Sequence, residues 1–226
     1  HYHPRIAAQE TWRFTRLSFE KQQAFNRLYD DFFYVRHNEF WANEALKKLS
    51  EILGGNDYRT AAVGQSSLLP CAEDLGMVPS SVKGVLEQLN VLSLEIQRMP
   101  KRYGVRFDDL NLNPWLSVST IATHDMPPFR LWWNEQREQT QAYWHEVLGG
   151  RGEAPTEATP EICEKVVSQH LESPSMLCLL ALQDFLAIDA DLRHPDPVVE
   201  QINKPSVPDH YWRYRMHLPL EELLSA

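Results

Sequence analysis

Apolar positions recur at helical spacing along several stretches of the chain. Between residues 19 and 33, Phe25, Leu28, Tyr29 and Phe32 share one face, and Ser18 precedes them as a candidate N-cap. From Glu39 to Leu53, Trp41, Ala45, Leu49 and Ile52 repeat the pattern until Gly54-Gly55-Asn56-Asp57 breaks it. Pro79 leads into Val82, Val85, Leu86 and Leu89, again at helical spacing. Residues Phe129 to Leu148 predict one long helix carrying Trp132, Gln136, Thr140, Tyr143, Trp144 and Val147, stopped by Gly149-Gly150. Thr159-Pro160 pairs an N-cap with a first-turn proline for a helix through Leu171. A short helix is expected at 219–224.

Between the helices lie runs of extended character. Ser67 to Ala72 is a short run with few charges that ends at Glu73-Asp74-Leu75-Gly76. Val91 to Met99 and Leu116 to Ala122 contain β-branched residues with no internal Gly or Pro and predict strands. Met176 to Leu182 is apolar throughout and suits a strand or a helix equally. Residues 151–160 form a polar linker, and 189–208 is a Pro-rich, loop-like stretch. Strands alternating with helices predict an α/β fold with a parallel sheet. There are about four strand candidates, not eight, so the expected architecture is roughly the C-terminal half of a (β/α)8 TIM barrel with extra helices. In that division residues 1–65 are a helical insert region, and 66–226 hold the last barrel strands and C-terminal helices.

Composition narrows the function. Twenty-two Lys and Arg against 31 Asp and Glu give a net charge of −9 over 226 residues. Such a surface repels phosphate backbones, so no nucleic-acid partner is expected. No apolar run is long enough to cross a bilayer, so no membrane partner is expected either. The three cysteines, Cys71, Cys163 and Cys178, are scattered and show no CxxC spacing. That argues against a disulfide framework or a zinc site and suits a reducing, cytoplasmic setting. No Gly-rich phosphate loop occurs, so neither a cofactor nor a metal is expected. The opening His1-Tyr2-His3-Pro4-Arg5 has no initiator Met and no signal-peptide pattern, as expected of a piece of a longer chain.

The chemistry sits at the ends of two predicted strands. Glu73 and Asp74 follow one, and His124 and Asp125 follow the other. In a parallel barrel the C-terminal strand ends converge on one mouth, so acids far apart in sequence can face one cavity. Glycosidic cleavage needs a carboxylic acid to protonate the leaving oxygen and a carboxylate to attack or stabilise the cationic sugar. In such pairs, neighbouring negative charge favours the protonated form of the acid. Spacing alone favours a plainer account, with Glu73-Asp74 capping the next helix and His124-Asp125 making a turn. Arg98, at another strand end, suits a sugar hydroxyl, an active-site carboxylate or a structural ion pair. Trp132-Trp133, Trp144 and Trp41 suit the core better than a sugar platform. Arg213-Tyr214-Arg215 suits a salt-bridged C-terminal anchor.

Taken in order, Ala72-Glu73-Asp74-Leu75-Gly76, Pro79, Leu94-Glu95-Ile96-Gln97-Arg98-Met99 and Thr123-His124-Asp125 resemble the 4-α-glucanotransferase family (amylomaltases, disproportionating enzymes, glycoside hydrolase family 77). Phe32 to Asn38 and His210 to Leu218 resemble the branch shared by plant cytosolic and Bacteroides-type enzymes. The resemblance implies retaining transfer of an α-1,4-glucan segment between maltooligosaccharides through a covalent glycosyl-enzyme. It implies Glu73 as general acid/base and Asp125 as transition-state stabiliser. His124, Asp74 and Asn203 are implied as substrate-binding residues, and Arg98 joins them as a candidate. After Ile202-Asn203 this chain departs from the family pattern, with Lys204-Pro205-Ser206 where the family has Gly.

The family's nucleophile is an aspartate in an Arg-x-Asp motif on the strand before Glu73, and nothing before Glu73 fits it. Arg106-Phe107-Asp108 comes after Glu73 in a polar stretch and is read as a decoy. The chain is therefore expected to lack the nucleophile and to be inactive alone. Its expected partners are α-glucan and the absent N-terminal half of the barrel. Strands at 67–72 and 176–182 would have open edges, with exposed apolar patches and self-association. Two alternatives stand beside this reading: an amylase-type α-glucan hydrolase, and a non-catalytic glucan-binding module.

Overall fold

The computed structural model describes residues 3–53, 69–102 and 104–223. The chain divides into two compact units, His1–Ser93 and Leu94–Ala226.

The first unit is helical. Helix α1 (Trp12–Thr15) starts at Thr11, whose hydroxyl accepts the Phe14 N–H at 3.3 Å. Helix α2 (Phe19–Asp30) follows Ser18 and passes directly into a π-turn at Asp31–Val35. Aromatic rings pack along this stretch, with Phe14 against Phe25 at 5.5 Å and Tyr29 against Phe33 at 4.7 Å. Helix α3 (Asn38–Ile52) and helix α4 (Ser81–Leu89) share a core of Leu46, Val85, Leu86, Leu89 and Val91. The α4 stripe is the one that helical spacing predicts, whereas on α3 the buried apolar residue is Leu46, and Trp41 and Ile52 of the predicted face are exposed. Helix α4 ends at Asn90 with φ +52°, a left-handed cap that Asn tolerates. Cys71 forms an isolated parallel bridge with Leu92. The expected strand at 67–72 is thus represented by a single bridge, and Ser67 and Leu68 lie outside the described residues.

A three-stranded sheet has the order β1-β2-β3, where β1, which begins at the last residue of the first unit, is Ser93–Glu95, β2 Ser117–Ser119 and β3 Leu177–Cys178. Strands β2 and β3 run parallel, with Val118 opposite Leu177 and Ser119 opposite Cys178. The run at 176–182 therefore resolves as a strand, followed by helix α8 (Leu182–Leu186). The strands are shorter than the sequence predicts. After β1 the chain turns at once, with Met99 N–H bonded to Ile96 O at 2.9 Å.

The long helix predicted at 129–148 is two helices, α5 (Phe129–Glu135) and α6 (Arg137–Glu146), separated at Gln136. Gln136 leaves the helical region at φ −106°, ψ 55°. The freed carbonyl of Trp133 is taken by the Thr140 hydroxyl at 2.9 Å, inside the core. This side-chain bond replaces a helical one and lets both Trp133 and Tyr143 bury fully. Around them pack Phe107, Ile121, Phe129, Trp132 and the apolar face of helix α7 (Pro160–Leu171), which contributes Ile162, Cys163, Val166 and Val167. Thr159 caps α7 by accepting the Ile162 N–H at 3.4 Å. Trp132 and Trp133 are core residues, as their spacing predicts. A last helix, α9, spans Leu220–Leu223.

Among the described residues no helix is long and apolar enough to cross a membrane. Among the same residues, no group of His, Cys, Asp and Glu is placed to hold a metal ion.

Candidate active site

In the second unit, β2 ends at Ser119 and the chain loops through residues 120–128 before entering α5. His124 and Asp125 stand on this loop with about half of each side chain exposed. The loop is a turn in which Met126 N–H reaches Thr123 O at 3.2 Å and Asp125 N–H reaches the Thr123 hydroxyl at 3.3 Å. The plainer reading of His124-Asp125 as a turn is therefore correct in conformation, yet the turn also presents a carboxylate.

That carboxylate is held by a hydrogen bond at one oxygen, with the His124 ring beside the other. Asn203 donates from Nδ2 to Asp125 Oδ1 at 2.7 Å, and His124 Nε2 lies 3.2 Å from Asp125 Oδ2. With about half of the side chain exposed, the carboxylate can still accept hydrogen bonds from a polyol.

Asn203 is only 3% exposed, so it braces Asp125 from behind. The sequence implies a sugar contact by Asn203; in the structure its amide is directed at Asp125 Oδ1. Its segment is anchored upstream. Glu200 is buried and accepts from Arg130 of α5 at 2.6 Å, while Gln183 of α8 donates to its carbonyl at 3.3 Å. Burial pushes the Glu200 carboxyl up, and the Arg130 guanidinium opposes that. Nothing in the sequence marks Glu200, one of several acids in a Pro-rich stretch, because its partner lies on α5.

Arg98 also departs from expectation. Its guanidinium meets no carboxylate and forms no ion pair among the described residues. One nitrogen donates to Ile121 O at 3.1 Å and Pro127 O at 3.3 Å. The Cζ lies 4.8 Å from the Trp132 ring centroid and 5.8 Å from that of Phe129. The group turns inward because two buried aromatic faces attract a planar cation. Burial lowers its pKa to about 10, with Tyr143 and Asp184 opposing, so it stays charged at neutral pH.

Trp212 is a residue that the sequence reading missed. Its ring packs 4.9 Å from the His124 ring at a 43° tilt, and it is 55% exposed. An aromatic ring beside a held carboxylate can stack on the apolar face of a sugar. The signal was present as Tyr211-Trp212 in a polar tail, but only the tertiary contact gives it meaning. The expected salt-bridged anchor at 213–215 is not seen among the described residues; Arg213 lies over the Tyr211 ring at 5.1 Å instead.

Glu73 belongs to the first unit. It is exposed, just past Cys71 of the parallel bridge, where Ala72 N–H donates to Leu92 O at 2.8 Å. Asp74 beside it is half-buried. Gly76 takes φ +77°, the left-handed backbone that turns the chain away after the acids. Helix α4 has Ser80 as its N-cap, so Glu73 and Asp74 stand upstream of the position that capping requires.

Comparison with known proteins agrees with these motifs. A family model described as 4-alpha-glucanotransferase matches residues 6–221. The chain is 33% identical over 224 residues to the 4-alpha-glucanotransferase DPE2 of Oryza sativa subsp. japonica, covering 99% of this chain and 23% of that protein. It is 32% identical over 173 residues to a 4-alpha-glucanotransferase of Chlamydia pneumoniae, covering 75% of this chain and 32% of that protein. The chain thus spans about a quarter to a third of the length of these relatives. Among solved structures, an amylomaltase from Streptococcus agalactiae in complex with acarbose shares the fold at a TM-score of 0.53 and 19% identity, over 80% of this chain and 32% of that one. With a family model matched along nearly its whole length, the chain belongs to the 4-alpha-glucanotransferase family.

Proposed function

We propose that the protein carrying this chain is a retaining 4-α-glucanotransferase acting on maltooligosaccharides, with Glu73 as general acid/base and Asp125 as transition-state stabiliser. The observation that carries this is the Asp125 carboxylate, presented on the loop after a parallel strand and fixed by Asn203, with His124 Nε2 3.2 Å from its other oxygen. Such fixation means little reorganisation is needed as charge develops. The chain is taken as the C-terminal part of a (β/α)8 barrel, with 1–65 a helical insert and 66–226 the last strands and helices. Its free cysteines support a cytoplasmic setting.

In the first step the Glu73 carboxylic acid gives its proton to the glycosidic oxygen as the C1–O bond breaks. A carboxylate supplied from outside these 226 residues bonds to C1 and holds the donor glucan. Asp125 accepts hydrogen bonds from hydroxyls of the distorted sugar and favours the positive charge at C1. In the second step the Glu73 carboxylate takes the proton of an acceptor 4-hydroxyl, whose oxygen displaces the enzyme carboxylate. His124 and Trp212 orient the sugar, and Asp74 joins the sugar contacts.

The test is maltotriose disproportionation by the full-length protein. A ladder of longer oligosaccharides marks transfer, whereas glucose and maltose alone mark hydrolysis. Glu73→Gln is expected to lower turnover by about 10²–10⁴-fold, and unchanged turnover removes Glu73 from the acid role.

A further inference from the structure

We infer that Arg98 is the positioning residue for Asp125: one guanidinium nitrogen ties together both ends of the loop that carries His124 and Asp125. This rests on the role proposed above for Asp125. The two carbonyls it bridges, Ile121 O and Pro127 O, bracket residues 122–126. Inside the bracket the backbone bonds among the described residues are short-range, from Met126 N–H to Thr123 O, from Asp125 N–H to the Thr123 hydroxyl and from the Thr120 hydroxyl to Ala122 O. The first two shape the turn, and the third ties only its first residue to the end of β2, which leaves the far end of the loop to be attached. Arg98 supplies that attachment, with its head held against Trp132 and Phe129 of α5. Asn203 then fixes the carboxylate from the opposite end of the unit's sequence.

Stability does not explain this arrangement. Nε and Nη1 of Arg98 are shut off from solvent with no hydrogen-bond partner among the described residues. Unpaired buried donors are destabilising, and an apolar side chain of similar volume is often as good or better for the fold. What the cation secures is the convergence of two carbonyls on one point, which an apolar residue cannot provide. A lysine supplies a charge but no planar face for the two rings.

The test compares Arg98→Met, Arg98→Lys and Asp125→Asn in the full-length protein, by maltotriose kinetics and thermal melting. Arg98→Met is expected to melt within about 4 °C of the parent or above it. It should lower kcat by about 10²-fold, the scale of a small misplacement of a reacting group, with KM within about threefold. Arg98→Lys should recover part of the lost kcat. Parental kcat in a folded Arg98→Met overturns the inference. So does a raised KM at unchanged kcat, which would mark a direct sugar contact. If Arg98→Met does not fold, Arg98→Lys decides: reduced kcat at constant KM supports the role, and parental kcat ends it. Parental turnover in Asp125→Asn removes the Asp125 role and this inference with it. Collapse of Asp125→Asn beside a fully active Arg98→Met removes only the role of Arg98.

Discussion

Asn203 donates its side-chain amide to Asp125 Oδ1 at 2.7 Å across a separation of 78 positions. A buried donor aimed at a half-exposed carboxylate fixes its direction at little entropic cost during reaction. Asn203→Ala is therefore expected to lower kcat about tenfold with little change in KM. Asn203→Asp, which sets a second carboxylate against the first, should lower it further and make it more pH-dependent. Steady-state kinetics of the full-length variants decide this; a change confined to KM would instead mark Asn203 as a substrate ligand.

Trp212 packs on His124 from the C-terminal tail. Trp212→Ala should raise KM for maltooligosaccharides about 3–10-fold, the scale of one stacking contact, with a smaller effect on kcat. Trp212→Phe should recover most of the loss. Equal KM in all three proteins would show that the ring serves only the tail.

How far the sequence reached differs from residue to residue. Thr159-Pro160, the α4 stripe and the strand-end position of Asp125 were legible because each depends on neighbours within a few residues. The direction of the Arg98 side chain was not, since it depends on Trp132 and two carbonyls brought in by folding. The break at Gln136 was hidden because the residues on both sides keep helical spacing, and only the buried Thr140 hydroxyl takes up the freed carbonyl.

Two buried groups of the second unit give opposite pH dependence. Burial raises the Asp184 carboxyl to about 6, with the Ala181 N–H and Arg98 opposing. Its stabilising contribution is full below about pH 4 and is lost as pH rises through 6. Burial lowers His170 to about 4 although it bonds Val166 O at 2.7 Å, and it is held neutral. Its contribution is full above about pH 6.5 and is lost as pH falls through 4. Each is on the order of 3 kcal/mol, so the parent should show a shallow profile between pH 4 and 6. Asp184→Asn should steepen acid destabilisation, and His170→Phe should reverse the slope. Denaturant titrations at several pH values read this out, and identical slopes in parent and variants would refute it.

The 226-residue chain expressed alone should show no measurable disproportionation and should self-associate. Strand β3 lies at the end of the sheet order; Leu177 within it and Leu179 just after it are exposed, and α8 exposes Leu182 and Phe185. Such an edge pairs readily with another chain. Light scattering is expected to show oligomers that Leu179→Glu disperses. A monomeric parent with turnover would contradict both halves of the expectation.

The sequence by itself determined most of the longer helices, the Thr159-Pro160 start of α7, the α/β alternation and the family to which the motifs point. Those features follow from side-chain spacing and backbone preference over short distances. The tertiary structure alone decided that Asn203 stands behind Asp125, that Arg98 turns inward to the loop ends, and that Trp212 covers His124. These pairings join residues far apart in the chain, and only burial of the intervening core brings their polar atoms within bonding distance.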